Sequence, residues 1–226
     1  MLKTALIDRA TIPGGGELRL VTHGGDFKIL LDRNELMSSR MSGSEKALAT
    51  MTLARLATPA PQVLIGGYGM GFTLRAALAD TEPEAVLTVV ELVPAVIAWA
   101  RGPMVELAAG CLDDPRVRLV EADIASVIAA GRASYDAILL DVDNGPDGLV
   151  RDANDAIYSP RGLAAAMTAL APGGVLAVWS AAPDRAFAGR LAQAGFAVEE
   201  ITVRARENGK GPRHTIWFAK KSVSQG

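Results

Sequence analysis

Polar and apolar positions alternate from Glu17 to Val21, and an extended pattern resumes from Phe27 to Leu31 after the turn His23-Gly24-Gly25-Asp26. Period-two runs around a glycine turn predict a β-hairpin. Pro13-Gly14-Gly15-Gly16 is a loop ahead of it, so residues 1–43 are expected to form a small N-terminal β unit. Ser44 offers an N-cap for a helix from Glu45 to Leu56, which Pro59 and Pro61 close off. From Gln62 the rhythm changes. Val63–Ile65, Val86–Val90, Val117–Val120, Ala137–Leu140 and Val175–Val178 are short, apolar and partly β-branched, and each reads as a strand buried on both faces. Helical patterns lie between and after them: Thr73–Ala79, Pro94–Ala100, Ile124–Ala130, Leu163–Leu170 and Asp184–Ala194. Such alternation predicts an α/β fold over residues 44–226, a doubly wound and mostly parallel sheet with right-handed crossovers. The strand-like runs Ala197–Ala205 and Thr215–Ala219, joined by Asn208-Gly209-Lys210-Gly211-Pro212, predict a terminal antiparallel hairpin.

Composition narrows the function classes. With 23 basic and 25 acidic residues the chain has no cationic excess, so nucleic acid is not the expected partner. No apolar run is long enough to span a bilayer, and Asp8 interrupts the opening run before a secretory core could form. A cytoplasmic location is expected. The single cysteine, Cys111, forms no intrachain disulfide and no cysteine zinc cluster, and it reads as a packing residue at a helix end. His23 and His214 lack ligand-spaced neighbours and read as surface residues.

Chemistry concentrates where strands end. The run Val63-Leu64-Ile65 enters Gly66-Gly67-Tyr68-Gly69-Met70-Gly71 and then a helix. Glycine lets a ligand lie against the main chain, and a strand-turn-helix corner of this kind cradles nucleotides. The spacing Gly67-x-Gly69-x-Gly71 places Phe72 where the dinucleotide fingerprint wants its third glycine, which favours S-adenosylmethionine or a relative over NAD. Glu91 ends the second strand, 20 residues after Gly71, where a carboxylate can accept both ribose hydroxyls. A solvated acid before the helix at Pro94 is the plainer alternative. Asp123 ends the third strand, as an acceptor for an adenine amine, as an N-cap for the helix from Ile124, or as both. The fourth strand ends in Asp141-Val142-Asp143-Asn144-Gly145-Pro146-Asp147. Crowded acids there would meet a sulfonium donor or an amine, and Asp141 is placed to deprotonate or orient an acceptor. A solvated turn is again the plainer reading, and the calcium-loop pattern fails.

These residues resemble a known family. The order Val63–Gly71, Val89–Pro94, Glu121–Asp123, Tyr135–Pro146 and Pro172–Val178 is similar to class I S-adenosylmethionine-dependent transferases, and most like the spermidine synthase branch. The resemblance puts Asp141 on that family's catalytic aspartate, Glu91 on its ribose-binding acid and Asp123 on its adenine-binding acid. It departs in three places: Asn144 stands where a second aspartate helps to hold the amine, Gly43 and Ser44 stand where a tyrosine precedes Glu45, and Val93 replaces an acid.

The resulting expectation is a sulfonium-nucleoside-dependent group transferase with a small amine or hydroxyl acceptor. Asp141 and Asp143 are its catalytic candidates, and Gly66, Gly67, Gly69, Gly71, Glu91, Leu92, Asp123, Ile124 and Asp141 its cofactor wall. The departures favour methyl transfer from S-adenosylmethionine over aminopropyl transfer from its decarboxylated form. No metal is assigned, and a homodimer is expected. An NAD-dependent oxidoreductase using the same loop and a non-catalytic binding module are the competing classes.

Overall fold

The structure, a computed structural model, describes residues 4–13, 15–32, 34–142 and 156–223. Its first element is a four-stranded antiparallel sheet in chain order: β1 (Thr4–Thr11), β2 (Glu17–His23), β3 (Asp26–Leu31) and β4 (Asn34–Ser38). The β2–β3 turn is tight because Gly24 and Gly25 take φ of 62° and 90°, as a type I′ turn requires. Leu18 and Leu20 on β2 and Ile29 and Leu31 on β3 point to one buried face.

The main sheet is seven-stranded. Its elements are α1 (Gly43–Leu53), β5 (Gln62–Gly66), α2 (Phe72–Ala79), β6 (Val86–Glu91), α3 (Pro94–Arg101), α4 (Val105–Ala108), a 3₁₀ turn (Cys111–Asp113), β7 (Val117–Glu121), α5 (Ile124–Ala130), β8 (Tyr135–Leu140), α6 (Pro160–Ala169), β9 (Leu170–Ser180), α7 (Arg185–Gln193), β10 (Ala197–Arg204) and β11 (Arg213–Lys220). The spatial order is β10-β11-β9-β8-β5-β6-β7. Strands β5 to β9 pair in parallel, while β11 is antiparallel to both β9 and β10. The terminal hairpin thus inserts its second strand next to β9.

Successive side chains of a strand face opposite ways, and the core divides accordingly. Val63, Ile65, Leu87, Val89, Leu139 and Ala177 pack with α1, α2, α3 and the inner face of the N-terminal sheet. Leu64, Val90, Ile138, Leu140, Leu176 and Val178 pack with α5, α6 and α7. Both faces being covered by helices explains the unbroken apolar runs.

Three local expectations are corrected. The third run, now β7, is only partly buried, because it is the sheet edge and β6 is its single ladder partner. The N-cap of α1 is Ser42; Ser44 lies inside the first turn and is fully buried. Strands β1 and β4 were not anticipated, and β1 is exposed along nearly its whole length. A register shift between Leu6 and Asp8 bulges β1, and Asp8 Oδ2 accepts a hydrogen bond from Trp99 Nε1 at 2.7 Å, tying this sheet to α3.

Phe187 on α7 is fully buried, edge-on to Tyr158 at 5.4 Å and Trp217 at 5.0 Å. Phe187→Ala should cost about 3–5 kcal/mol of stability, read as a lower urea midpoint at unchanged slope.

Candidate active site

Strand β5 lies between β6 and β8, so the chain leaves it in one direction and returns on its other side. Ligands in open α/β sheets bind at such a switch point, beyond the carboxyl ends of the strands. The glycine loop stands there. Gly67, Gly69 and Gly71 have φ of 83°, 56° and 75°, the left-handed region that side chains disfavour. Gly67 also has no room for a side chain, since a Cβ would lie 2.9 Å from the carbonyl oxygen of Asp141.

A cavity of about 140 Å³ opens beside this loop. Gly67, Gly69, Glu91, Leu92, Asp123, Ile124 and Asp141 border it, and the N-terminal sheet roofs it with Leu18, Leu31, Leu36 and Met37. Seven of the residues chosen from sequence therefore converge on one space. Gly66 and Gly71 do not border it. A Cβ on Gly66 would meet Ile124 Cγ1 at 2.9 Å, and one on Gly71 would meet Tyr68 Oη at 2.6 Å, so both serve packing. Asp143 and Asn144 lie outside the described residues.

The acids of the wall differ in character. Glu91 is buried, not solvated. Its Oε2 accepts from the Tyr68 amide at 3.0 Å and its Oε1 from the Val93 amide at 2.8 Å. The carboxylate thereby ties the glycine loop to the turn after β6. Burial raises its pKa, and the amides of Val93, Tyr68, Gly69 and Leu92 oppose that rise. Each oxygen keeps further lone-pair capacity, so a pair of ribose hydroxyls remains compatible with these bonds. Asp123 is exposed and caps α5, its Oδ1 accepting from the Ala125 amide at 2.8 Å. The helix-cap reading of Asp123 is thus met, and the residue also stands on the cavity wall.

A second chamber of about 40 Å³ adjoins the first. Leu36, Met37, Gly69 and Asp141 border both, and Glu45, Tyr68, Met70, Phe72 and Trp179 complete its wall. Asp141 Oδ2 accepts from Thr73 Oγ1 at 2.9 Å. Desolvation raises the pKa of Asp141, the Thr73 hydroxyl opposing it. Desolvation and then the Asp141 charge raise that of Glu45. Two carboxyls share one poorly solvated space, so ionising one opposes ionising the other.

Sequence reasoning gave no role to Glu45, Thr73 or Trp179. Trp179 follows the rule that found Glu91 and Asp141, because it stands near the carboxyl end of β9. His214 is a correction. It is buried, with Nδ1 2.9 Å from Ser44 Oγ and its ring edge-on to Trp179 at 4.7 Å. Cys111 is buried at the 3₁₀ turn, its Sγ 3.5 Å from Tyr68 Oη, consistent with packing.

Comparison with known proteins places this arrangement. The family model for the spermine/spermidine synthase domain matches residues 43–184. The chain belongs to that family. It is 32% identical over 170 residues to a polyamine aminopropyltransferase of Mycobacterium tuberculosis, covering 74% of this chain and 31% of that protein. It is 34% identical over 156 residues to polyamine aminopropyltransferase 1 of Streptomyces coelicolor, covering 66% of this chain and 28% of that protein. The matched stretch is thus about a third of these relatives' length. A spermidine synthase solved with the transition-state analogue AdoDATO superposes with a TM-score of 0.79 at 20% identity, over 99% of this chain and 76% of that one. The Thermotoga maritima spermidine synthase gives 0.76 at 19% identity, over 97% and 73%. These two structures share the fold, including the N-terminal sheet.

Two outcomes follow from the geometry. Gly67→Ala should lower Tm, because the new methyl meets a backbone carbonyl at an unfavourable φ. In the folded chain Glu45 and Asp141 bind protons more tightly than in the unfolded chain, so folding takes up protons above the ordinary carboxylate range, to about 8 for Glu45. Stability should therefore fall as pH rises through that window, and Glu45→Gln should flatten the slope of Tm against pH.

Proposed function

We propose that this chain transfers an aminopropyl group from decarboxylated S-adenosylmethionine to a small amine acceptor. The observation that carries the choice of donor is the charge on the walls. Among the described residues, Glu45, Glu91, Asp123 and Asp141 are the only charged residues bordering either cavity, and all are acids. S-adenosylmethionine brings an α-carboxylate that would need a cationic or donor-rich partner, and the described residues of these walls offer no cation. The decarboxylated donor carries an ammonium and a sulfonium, both suited to acid-lined space. Family membership supports the same choice and displaces the expectation of methyl transfer.

In this reading the donor nucleoside lies along Gly67 and Gly69. Glu91 accepts from the ribose and Asp123 from the base. Leu92 and Ile124 supply apolar surface. Asp141, common to both cavities, stands between donor and acceptor. The acceptor nitrogen attacks the methylene carbon bonded to sulfur. A C–N bond forms, the C–S bond breaks with its electron pair going to sulfur, and methylthioadenosine leaves. Asp141 takes the proton that the nitrogen sheds. Burial raises its pKa toward neutrality, where a general base works best. Most of the acceleration comes from holding the reactants in line. Residues 1–43 act as a unit that closes the donor cavity from above, and Asp143, outside the described residues, remains a second catalytic candidate. We expect a homodimer, checked by light scattering. Among the described residues no helix is long and apolar enough to cross a membrane.

Decarboxylated S-adenosylmethionine and methylthioadenosine should each raise Tm more than S-adenosylmethionine does. Incubation of the decarboxylated donor with a diamine should release methylthioadenosine, read by mass spectrometry. Asp141→Asn should lower kcat by about 10²–10⁴-fold while the methylthioadenosine shift persists. Methyl transfer from S-adenosylmethionine with no aminopropyl transfer would overturn the proposal.

A further inference from the structure

The small chamber contains a device that the reaction described above does not use. Ser44, fully buried in the first turn of α1, has its Oγ 2.8 Å from Glu45 Oε2 and donates to it. His214 on β11 places Nδ1 2.9 Å from the same Ser44 Oγ. When Glu45 is ionised the serine's single hydroxyl proton goes to it, and the histidine is then the donor in the second bond. Burial lowers the basicity of His214, and a neutral imidazole protonated on Nδ1 meets that requirement. Trp179, another wall residue, packs edge-on against the same imidazole at 4.7 Å.

The chain His214 to Ser44 to Glu45 fixes one carboxyl oxygen of Glu45. The carboxyl also takes a hydrogen bond from its own backbone amide, and it keeps lone-pair capacity for a ligand. Thr73 Oγ1 donates to Asp141 Oδ2 at 2.9 Å and lies 3.4 Å from the backbone oxygen of Glu45, which sets the first turn of α1 beside Asp141. Tyr68, Phe72 and Trp179 supply the remaining polarisable surface. Two carboxyls with aromatic faces suit an alkylammonium group. The small volume suits an unbranched primary amine over a branched or secondary one.

We infer that Glu45 is an acceptor-binding residue of this chamber, gripping the ammonium of an unbranched primary amine together with Asp141, and that Ser44 and His214 are positioning residues that hold its carboxyl in place. This deepens the aminopropyl-transfer reading and rests on it for the identity of the acceptor. Gly43 and Ser44 stand where the family resemblance expects a tyrosine before Glu45, and here Ser44 links Glu45 to His214.

The test is calorimetric titration of 1,4-diaminobutane into the protein saturated with methylthioadenosine, alongside steady-state kinetics with decarboxylated S-adenosylmethionine. Glu45→Gln should weaken diamine binding and raise the acceptor KM by about tenfold or more, the loss of a charge-assisted bond. The donor KM and the methylthioadenosine shift in Tm should stay unchanged. Ser44→Ala keeps the carboxyl but releases it, and should raise the acceptor KM by about threefold with kcat nearly constant, a split that a merely structural role would not give. Turnover with diamine affinity unaltered in Glu45→Gln would overturn the inference and leave the proposed function standing. Glu45-dependent diamine binding without aminopropyl turnover would do the reverse. Absence of diamine binding by the unsubstituted protein would also overturn the inference.

Discussion

Close approach of backbone to backbone at the end of β5 is the constraint on which the rest depends. Gly67 passes so near β8 that its missing Cβ would sit 2.9 Å from the Asp141 carbonyl oxygen. The Gly67 amide is held by Val90 O at 2.9 Å, and the Asp141 amide by Gly66 O at 3.2 Å. Three strand ends are thereby drawn together, and their side chains have only one open direction, outward past the sheet. The larger cavity is the space this closeness leaves. A side chain on the loop would separate the strands as well as fill the cavity, which is why left-handed glycine conformations and the acids on neighbouring strands form a single arrangement.

Acidic side chains in poorly solvated positions are costly unless each finds donors or a cation. The site satisfies its acids unequally. Glu91 accepts two backbone amides and has its place fixed by them. Asp123 is used as a helix cap. Asp141 has one hydroxyl partner, and Glu45 has Ser44. The less satisfied acids are the pair on the smaller chamber, where a positive ligand would neutralise them. The gradient from satisfied to less satisfied carboxyls runs from the larger cavity to the smaller chamber.

Much of this was legible in the sequence because it is local. The apolar runs fell on β5, β6, β8 and β9, and the residues following them fell on the cavity. The terminal hairpin was legible from its glycine-rich turn. What escaped notice was non-local or marginal. Burial of β7 on both faces was expected from composition, but edge position is a property of strand order, which no single run encodes. Strand β1 mixes polar and apolar residues without clear alternation and is held by pairing to β2. Buried His214 finds its hydrogen-bond partner in Ser44, a residue 170 positions away. Ser44 itself looked like a helix cap, because serine before an acid at a helix start usually is one. The true cap lies two residues earlier, and Ser44 is left free to turn inward.

The antiparallel insertion of β11 has a consequence for how the molecule comes into being. Residues of β2 to β4 roof the larger cavity, and His214, in β11, backs the smaller chamber. Segments far apart in the sequence thus meet at one cleft. A growing chain would close the glycine-loop side of the larger cavity once β8 has emerged from the ribosome, yet the wall of the smaller chamber would stay unbraced until β11 slides in beside β9. The cradle around Gly67 would thus precede the bracing of Glu45 in the order of assembly.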